Sequence, residues 1–405
     1  MNGPFDTIII GGGLVGMTSA LALSAFGVRS LVIDSADLDA TLDAGFDGRA
    51  TAIASASWRM FEALGLAERL TDVECPINEI HVSEGLRAGG LHFDPGAEEA
   101  GEPLGHMIEN RHIRRALIEA GRADPNIEIR APARVEATDR AEHGVKVTLA
   151  EGGTLHAPLL IAADGRRSAL REGAGIRAAR WQYDQTAIVG MIEHTIPHGN
   201  VAYEIFYPAG PFAILPMLPG TRSAIVWTVP AKQAGAWLDL PERAFMAEVD
   251  KRIGGALGET KMAAPAMSYP LGFHHAERYV DHRLALVGDS AHGIHPIAGQ
   301  GLNMGLRDAA ALAEVVGEGV RLGLDIGEKE VLQKYQRWRG FDNFQVAAAT
   351  DVLNRLFGLR GETMARVRHF GISAVEKIPP LKNFFMTEAR GASGDLPQLL
   401  RGERP

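Results

Sequence analysis

The sequence predicts an α/β protein: nucleotide-binding strand–turn–helix signals on both sides of a strand-rich middle, followed by a helical C-terminal part. Three observations predict it. A strand, a Gly-rich turn, a helix and a second strand ending in an acid follow one another over residues 7–34. A second strand, turn and helix start occupies residues 284–308. Between residues 181 and 271 short apolar strands alternate with Gly and Pro turns.

Composition bounds the rest. The chain has 405 residues, 46% hydrophobic and 22% charged, enough for two or more domains with ordinary cores. A net charge of −9 with no basic run argues against nucleic acid as the main partner. A single cysteine, Cys75, excludes an internal disulfide and any multi-cysteine metal site. It fits a reducing compartment, and its simplest role is that of a small buried hydrophobe. The apolar run from residue 8 to 28 does not read as a signal peptide or a span. Phe5-Asp6-Thr7 is no basic leader, and Gly11, Gly12, Gly13 and Gly16 break the run.

Taken in order, residues 7–10 read as a buried parallel strand, Gly11-Gly12-Gly13-Leu14-Val15-Gly16 fits G-x-G-x-x-G, and residues 17–26 read as a helix. Residues 29–34, RSLVID, are then a second strand. Gly11 would make the tight turn, Gly13 admit a pyrophosphate, Gly16 permit close helix packing, and Asp34 accept from a ribose hydroxyl. Residues 47–53 open a helix-like pattern that runs through Leu64; Arg49 there is either a solvated charge or a reach toward a phosphate or carbonyl. Residues 77–93 alternate as strands, residues 107–120 return to helical spacing with Arg111 at the start, and residues 145–161 contain two strands around Gly152-Gly153. The second of these ends in Asp164-Gly165, at the edge where open α/β sheets bind ligands. Residues 241–253 form a helix within the strand-rich middle. The chain is helical from 328 to about 357, and residues 364–382 form an amphipathic, net basic segment read as a cap, a subunit contact or a membrane-surface face.

The stretch LVGDSAHGIHPIAGQGLNMGLRD carries Gly288-Asp289, His292, His295, Pro296 and Gly299-Gln300-Gly301 at a helix start. Unpaired amides and the helix dipole favour an anion there. Together IIIGGGLVG, ADGRRSALRE and this stretch resemble, in order and spacing, the three FAD motifs of the class A flavoprotein aromatic hydroxylases. HPIAGQGLNMGLRD, DGRATAIA, ENRHIRRAL and LPQLLRG are similar to the branch that hydroxylates the aromatic ring in ubiquinone biosynthesis.

The resemblance implies a GR2, PHBH-like fold with a Rossmann-like FAD domain. Residues 1–76, 104–178 and 272–330 would make the FAD domain, 77–103 and 179–271 the substrate domain, and 331–405 the C-terminal helical region. It implies that FAD is held by Gly11, Gly13, Gly16, Asp34 (where the family usually has Glu), Arg49, Arg111, Asp164, Gly165, Gly288, Asp289, Pro296, Gly299, Gln300, Gly301 and Asn303. NAD(P)H would be a transient co-substrate, and dioxygen would add to the reduced flavin as a hydroperoxide whose distal oxygen passes to a polyprenylated phenol or quinone precursor. No catalytic triad or metal site is expected. His292 and His295 are candidate bases, yet each is equally readable as a structural hydrogen bonder. The alternatives are a hydroxylase of a small soluble aromatic and a flavin-holding scaffold for other quinone-biosynthesis proteins. The location expected is cytoplasmic, with peripheral contact to the inner membrane through the basic segment.

Overall fold

The computed structural model describes residues 4–42, 49–86, 90–95, 102–295, 299–358, 376 and 378–405. Continuous apolar runs make strands covered on both faces, the signature of a parallel sheet. Thr7–Ile10, Ser30–Ile33 and Leu159–Ala162 are such runs, and all but Ile10 are buried. They lie in a six-stranded sheet whose order is Val280–Asp281, Leu284–Leu286, Leu159–Ala162, Thr7–Ile10, Ser30–Ile33 and Ile127–Arg130. Only Val280–Asp281 is antiparallel. From Thr7–Ile10 the chain winds one way to Ser30–Ile33 and Ile127–Arg130, then returns on the other side through Leu159–Ala162 and Leu284–Leu286. Winding therefore reverses between Thr7–Ile10 and Leu159–Ala162, which opens a crevice at their carboxyl ends.

Helices Leu14–Ala25 and Gln300–Arg321 pack together on this sheet. Glycine permits the approach: a Cβ on Gly305 would lie 2.7 Å from Val15, and one on Gly317 would lie 2.5 Å from Phe26. Ile8, Leu31, Leu160, Leu286 and Ala310 are among the fully enclosed residues of the shared core.

The strand-rich middle forms an eight-stranded sheet, ordered His292–Gly293, Thr260–Ala276, Ala178–His194, Arg222–Pro230, Gly210–Met217, Val201–Tyr207, Glu79–Glu84 and Leu91–Phe93. One face is covered by helix Glu242–Ile253, whose Phe245, Val249 and Ile253 pack with Phe212, Ile225 and Trp227. From the other face Met191, Ala202, Met217 and Ala224 pack with Cys75, Ile77 and Met107. These last three belong to a small antiparallel sheet of Ala50–Ala54, Gly105–Glu109 and Cys75–Ile77.

Three local readings are corrected. Residues 50–54 are a strand, and helix begins only at Ser55–Ala63; ATAIA has too few large side chains to show a period, and pairing with Gly105–Glu109 decides its state. Residues 107–109 likewise belong to that strand, with helix over Asn110–Ala123. The region 145–161 holds three strands rather than two, because Pro158, which has no N–H, separates Thr154–Ala157 in an antiparallel sheet from Leu159–Ala162 in the parallel one. The C-terminal part is helical over Lys329–Gly358 and Pro379–Ala389, while most of the basic segment 364–382 lies outside the described residues. Among the described residues no helix is long and apolar enough to cross a membrane.

Candidate functional site

At the crevice, glycine does three different things. Gly11 has φ +111°, and a Cβ there would sit 2.2 Å from the Ala163 carbonyl oxygen. A Cβ on Gly16 would sit 1.8 Å from the Gly11 oxygen. The turn, the helix start and the neighbouring strand end meet only because those side chains are missing. Gly13 is different: a Cβ there meets nothing within 4 Å, and no side chain caps helix Leu14–Ala25. Its first-turn amides therefore face open space at the positive end of the helix dipole. Asp34 accepts the Gly12 N–H at 2.6 Å and the Ala36 N–H at 2.7 Å. Each carboxylate oxygen keeps a further lone pair for a ligand hydroxyl.

Asp164-Gly165 follows Leu159–Ala162. Asp164 Oδ2 accepts the Leu170 N–H at 3.3 Å, whereas Oδ1 is buried with no partner among the described residues. Such an orphan acceptor costs about 1–3 kcal/mol and fits a site shaped for a donor the chain does not supply. The fully buried Arg171 donates to the Ser290 carbonyl at 2.7 Å and to the Arg166 carbonyl at 3.1 Å, tying this loop to the Gly288-Asp289 loop. Gly288, at φ +57°, rests against Val15 of the first helix. Asp289 is exposed, and its carbonyl accepts His274 Nε2–H at 2.8 Å. Burial pushes the other histidine form out: His274 falls to about 4 although the Asp289 carbonyl opposes the shift.

The Gly288 loop is fixed from behind by Asp308, which is 0% exposed. Its carboxylate accepts the Gly288 N–H at 3.1 Å, His292 Nε2–H at 2.5 Å, Arg339 Nε–H at 3.0 Å and Asn343 Nδ2–H at 2.9 Å. Burial alone would raise its pKa, but His292, Arg339 and Asn343 reverse the effect and hold it at about 2. His292 thus has a structural partner, which disfavours it as a free base. His295 is the opposite case. It is buried, neither ring nitrogen has a partner among the described residues, and its nearest ring is Tyr183 at 5.2 Å. Burial pushes His295 down to about 4, so the imidazole is neutral at ordinary pH.

Gly299, at φ +63°, is the N-cap of helix Gln300–Arg321; among the described residues no side chain caps it, and a Cβ on Gly301 would meet nothing within 4 Å. Gln300 Nε2 donates to the Ala389 carbonyl at 3.4 Å. Asn303 turns inward: it accepts the Ala54 N–H at 2.9 Å and donates to the Ala52 carbonyl at 2.9 Å, clamping the helix start to the small sheet. That sheet places Arg49 and Arg111 near one another, since the Arg49 carbonyl accepts the Asn110 N–H at 3.0 Å. The Arg49 guanidinium lies 6.0 Å from the Tyr269 ring, and Arg111 Nε donates to Glu109 at 2.6 Å. Pro296 lies outside the described residues.

Sequence reasoning passed over Arg171, Asp308 with its partners Arg339 and Asn343, and Glu204. Glu204 shares a strand face with Ala202, which packs in the cluster that contains Met107 and adjoins Ala52. Burial alone pushes its carboxyl up to about 7. An acid within the apolar alternation of VAYEIFY was the available signal. Cys75 is buried and pushed up to about 12 by burial, so it is the packed, unreactive thiol expected.

The open glycine edges, the uncapped helix starts and the orphan Asp164 oxygen suit a long ligand with an anionic middle and hydroxyls on either side, which is the chemistry of FAD. Comparison with known proteins agrees. Residues 4–339 match the FAD binding domain family. The chain is 46% identical over 400 residues to ubiquinone hydroxylase UbiL of Rhodospirillum rubrum, covering 98% of this chain and 92% of that protein. It is 33% identical to the 3-demethoxyubiquinol 3-hydroxylase of Escherichia coli, covering 96% and 99%. Among solved structures, p-nitrophenol 4-monooxygenase PnpA of Pseudomonas putida shares the fold at TM-score 0.79 with 19% identity, over 97% of this chain and 99% of that one. The chain therefore belongs to the FAD binding domain family, in the ubiquinone-biosynthesis branch of its flavoprotein aromatic hydroxylases.

Proposed function

We propose that this protein hydroxylates the aromatic ring of a polyprenylated phenol on the way to ubiquinone, consuming NAD(P)H and dioxygen. The observation that carries the reading is the meeting of four loops, at Gly11–Gly16, Asp164-Gly165, Gly288-Asp289 and Gly299–Gly301, around one crevice left open where a nucleotide would lie. When bound, FAD supplies the redox chemistry, passing electrons from NAD(P)H to dioxygen and one oxygen atom to the ring.

The chain's part is to bind, orient and desolvate. We assign Gly11, Gly13 and Gly16 with the first helix to the pyrophosphate, Asp34 to the adenosine ribose, and Asp164-Gly165 and Gly288-Asp289 to the central hydroxyls and phosphates. The amides at Gly299, Gln300 and Gly301 would face the ring system where negative charge develops. Asn303 and Asp308 hold those loops in place. Arg49 and Arg111 stand at the rim. Glu204 is assigned to take the phenol proton, because a carboxyl near 7 is poised for general base work at neutral pH. His295 would donate or accept one hydrogen bond to the ring substituents. The domain ranges 1–76, 104–178 and 272–330 for FAD, and 77–103 and 179–271 for substrate, belong to the same proposal, as does peripheral membrane contact by the C-terminal region.

The test is substrate-dependent NAD(P)H oxidation by purified protein. Bound FAD and oxidation stimulated by a prenylated phenol, with incorporation of one oxygen from dioxygen, are expected. Protein that holds no FAD, or that turns over only the tail-less phenol, would overturn the assignment.

A further inference from the structure

Away from the crevice, the far edge of the eight-stranded sheet carries three convergent metal-type donors. Residues Glu79 and His81 are two apart on strand Glu79–Glu84 and so share a face. Antiparallel pairing puts His92 of strand Leu91–Phe93 directly opposite His81. As a result His81 Nε2 lies 3.0 Å and His92 Nε2 2.9 Å from the same oxygen, Glu79 Oε2, and one donor atom from each residue lies within 4.8 Å of the others. The three side chains are 39%, 42% and 40% exposed for His81, His92 and Glu79, so solvent ions reach them.

Separations of this size suit donors sharing one ion at about 2.0–2.2 Å each. Asp94 lies 3.8 Å from the other nitrogen of His92, close enough to add to the negative potential at the cluster but not to hydrogen-bond the ring. Two of the three, His81 and His92, line a cavity of about 290 Å³ together with Tyr203, Leu86, Leu91 and Ile253. Open coordination positions would therefore face a largely apolar space that solvent reaches. The sequence gives no sign of this, since Glu79, His81 and His92 are brought together only by strand pairing.

We propose that Glu79, His81 and His92 form a divalent-metal site of the two-histidine, one-carboxylate type, with zinc as the fitting ion. Imidazole and carboxylate donors at three positions with the remainder open match zinc's preferences. The ion would pin the two edge strands to each other close to the point where the His92 backbone N–H meets Glu376 of the C-terminal region, at 3.0 Å.

The test uses untagged, FAD-loaded protein stripped with a chelator and titrated with zinc by calorimetry. One equivalent should bind, and His81→Ala, His92→Ala and Glu79→Gln should each weaken binding about tenfold or more, with FAD content and basal NAD(P)H oxidation unchanged. Cobalt in the wild-type protein gives a reading that needs no variant: intense visible ligand-field bands are expected on titration and should vanish on adding zinc. If wild type takes up no zinc at about 1 mM, near the limit of measurable binding, or all three variants bind as wild type does, the cluster is a hydrogen-bonded group only and the proposal fails. Weak, octahedral-type cobalt bands would overturn it equally.

Discussion

Replacing Asp308 by Asn removes a charge from the interior while leaving the shape almost unchanged. The carboxylate is fully enclosed and serves four donors, including the Arg339 guanidinium, itself 1% exposed. Its displacement from 3.8 to about 2 sets a floor of about 2 kcal/mol on the favourable interactions lost. Arg339 keeps Asp342 at 2.9 Å but loses its fully buried counter-charge, which raises the expected loss to about 3–5 kcal/mol. With an unfolding entropy of about 2.1 cal/mol/K per residue, that corresponds to a melting temperature lower by about 4–6 °C for a chain of this length. Melting curves of D308N, R339M and the double variant check it. The double variant should be hurt by less than the sum of the singles, because the second change removes the guanidinium whose buried partner the first has already taken away. The depressed carboxyl contributes stability that is complete above pH 3.8 and lost as pH falls through about 2. The deficit of D308N should therefore be level between pH 5 and 8. Additive losses, or a D308N protein within about 0.5 kcal/mol of wild type, would refute the hub role.

Other outcomes follow from the same geometry. Gly13→Ala should fold normally yet lose most bound FAD, while Gly11→Ala, driven 2.2 Å from a carbonyl at φ +111°, should lower soluble yield and melting temperature; equal folding of the two variants counts against the separate roles given to these glycines. Glu204 takes up a proton on folding between pH 4.5 and about 7, so its cost grows as pH rises through that window. Glu204→Gln should gain about 3 kcal/mol at pH 8, nothing near pH 4.5, and lose the limb of the turnover profile near pH 7; a gain independent of pH would sink the burial argument. His295→Leu deletes a buried imidazole that has no partner among the described residues, so melting of the FAD-free protein should hold or rise while phenol-stimulated turnover drops by about tenfold. Undiminished turnover would show that His295 does not touch substrate or cofactor.

What the sequence made legible was local. Gly11 and Gly16 are demanded by contacts within six residues or with an adjacent strand end, so their spacing carries their geometry. Gly299–Gly301 before an apolar periodic run was equally plain. The Asp308 hub was not, because its donors lie at Gly288, His292, Arg339 and Asn343, and only folding two helices against the loop brings them into one place. Two histidines three residues apart looked alike as letters; enclosure beside a carboxylate fixed one and enclosure without a partner left the other unsatisfied. The strands at 50–54 and 105–109 were hidden for a related reason, since cross-strand pairing rather than their own composition decides them.

The site is distributed over the whole length of the chain in a way that constrains when it comes into being. Its parts lie near Gly13, Asp164, Gly288 and Gly301, and helix Gln300–Arg321 is in turn braced by residues still further on, through Glu314 to the Gln398 N–H at 2.7 Å and through Arg307 to the Ser393 carbonyl. At about 5–20 residues per second, synthesis from the first of these elements to the last takes on the order of tens of seconds. During that interval the uncapped helix start at Gly13 has no completed crevice around it. The bracing of helix Gln300–Arg321 is therefore complete only once residues 393–398 have been synthesised and have folded back onto it.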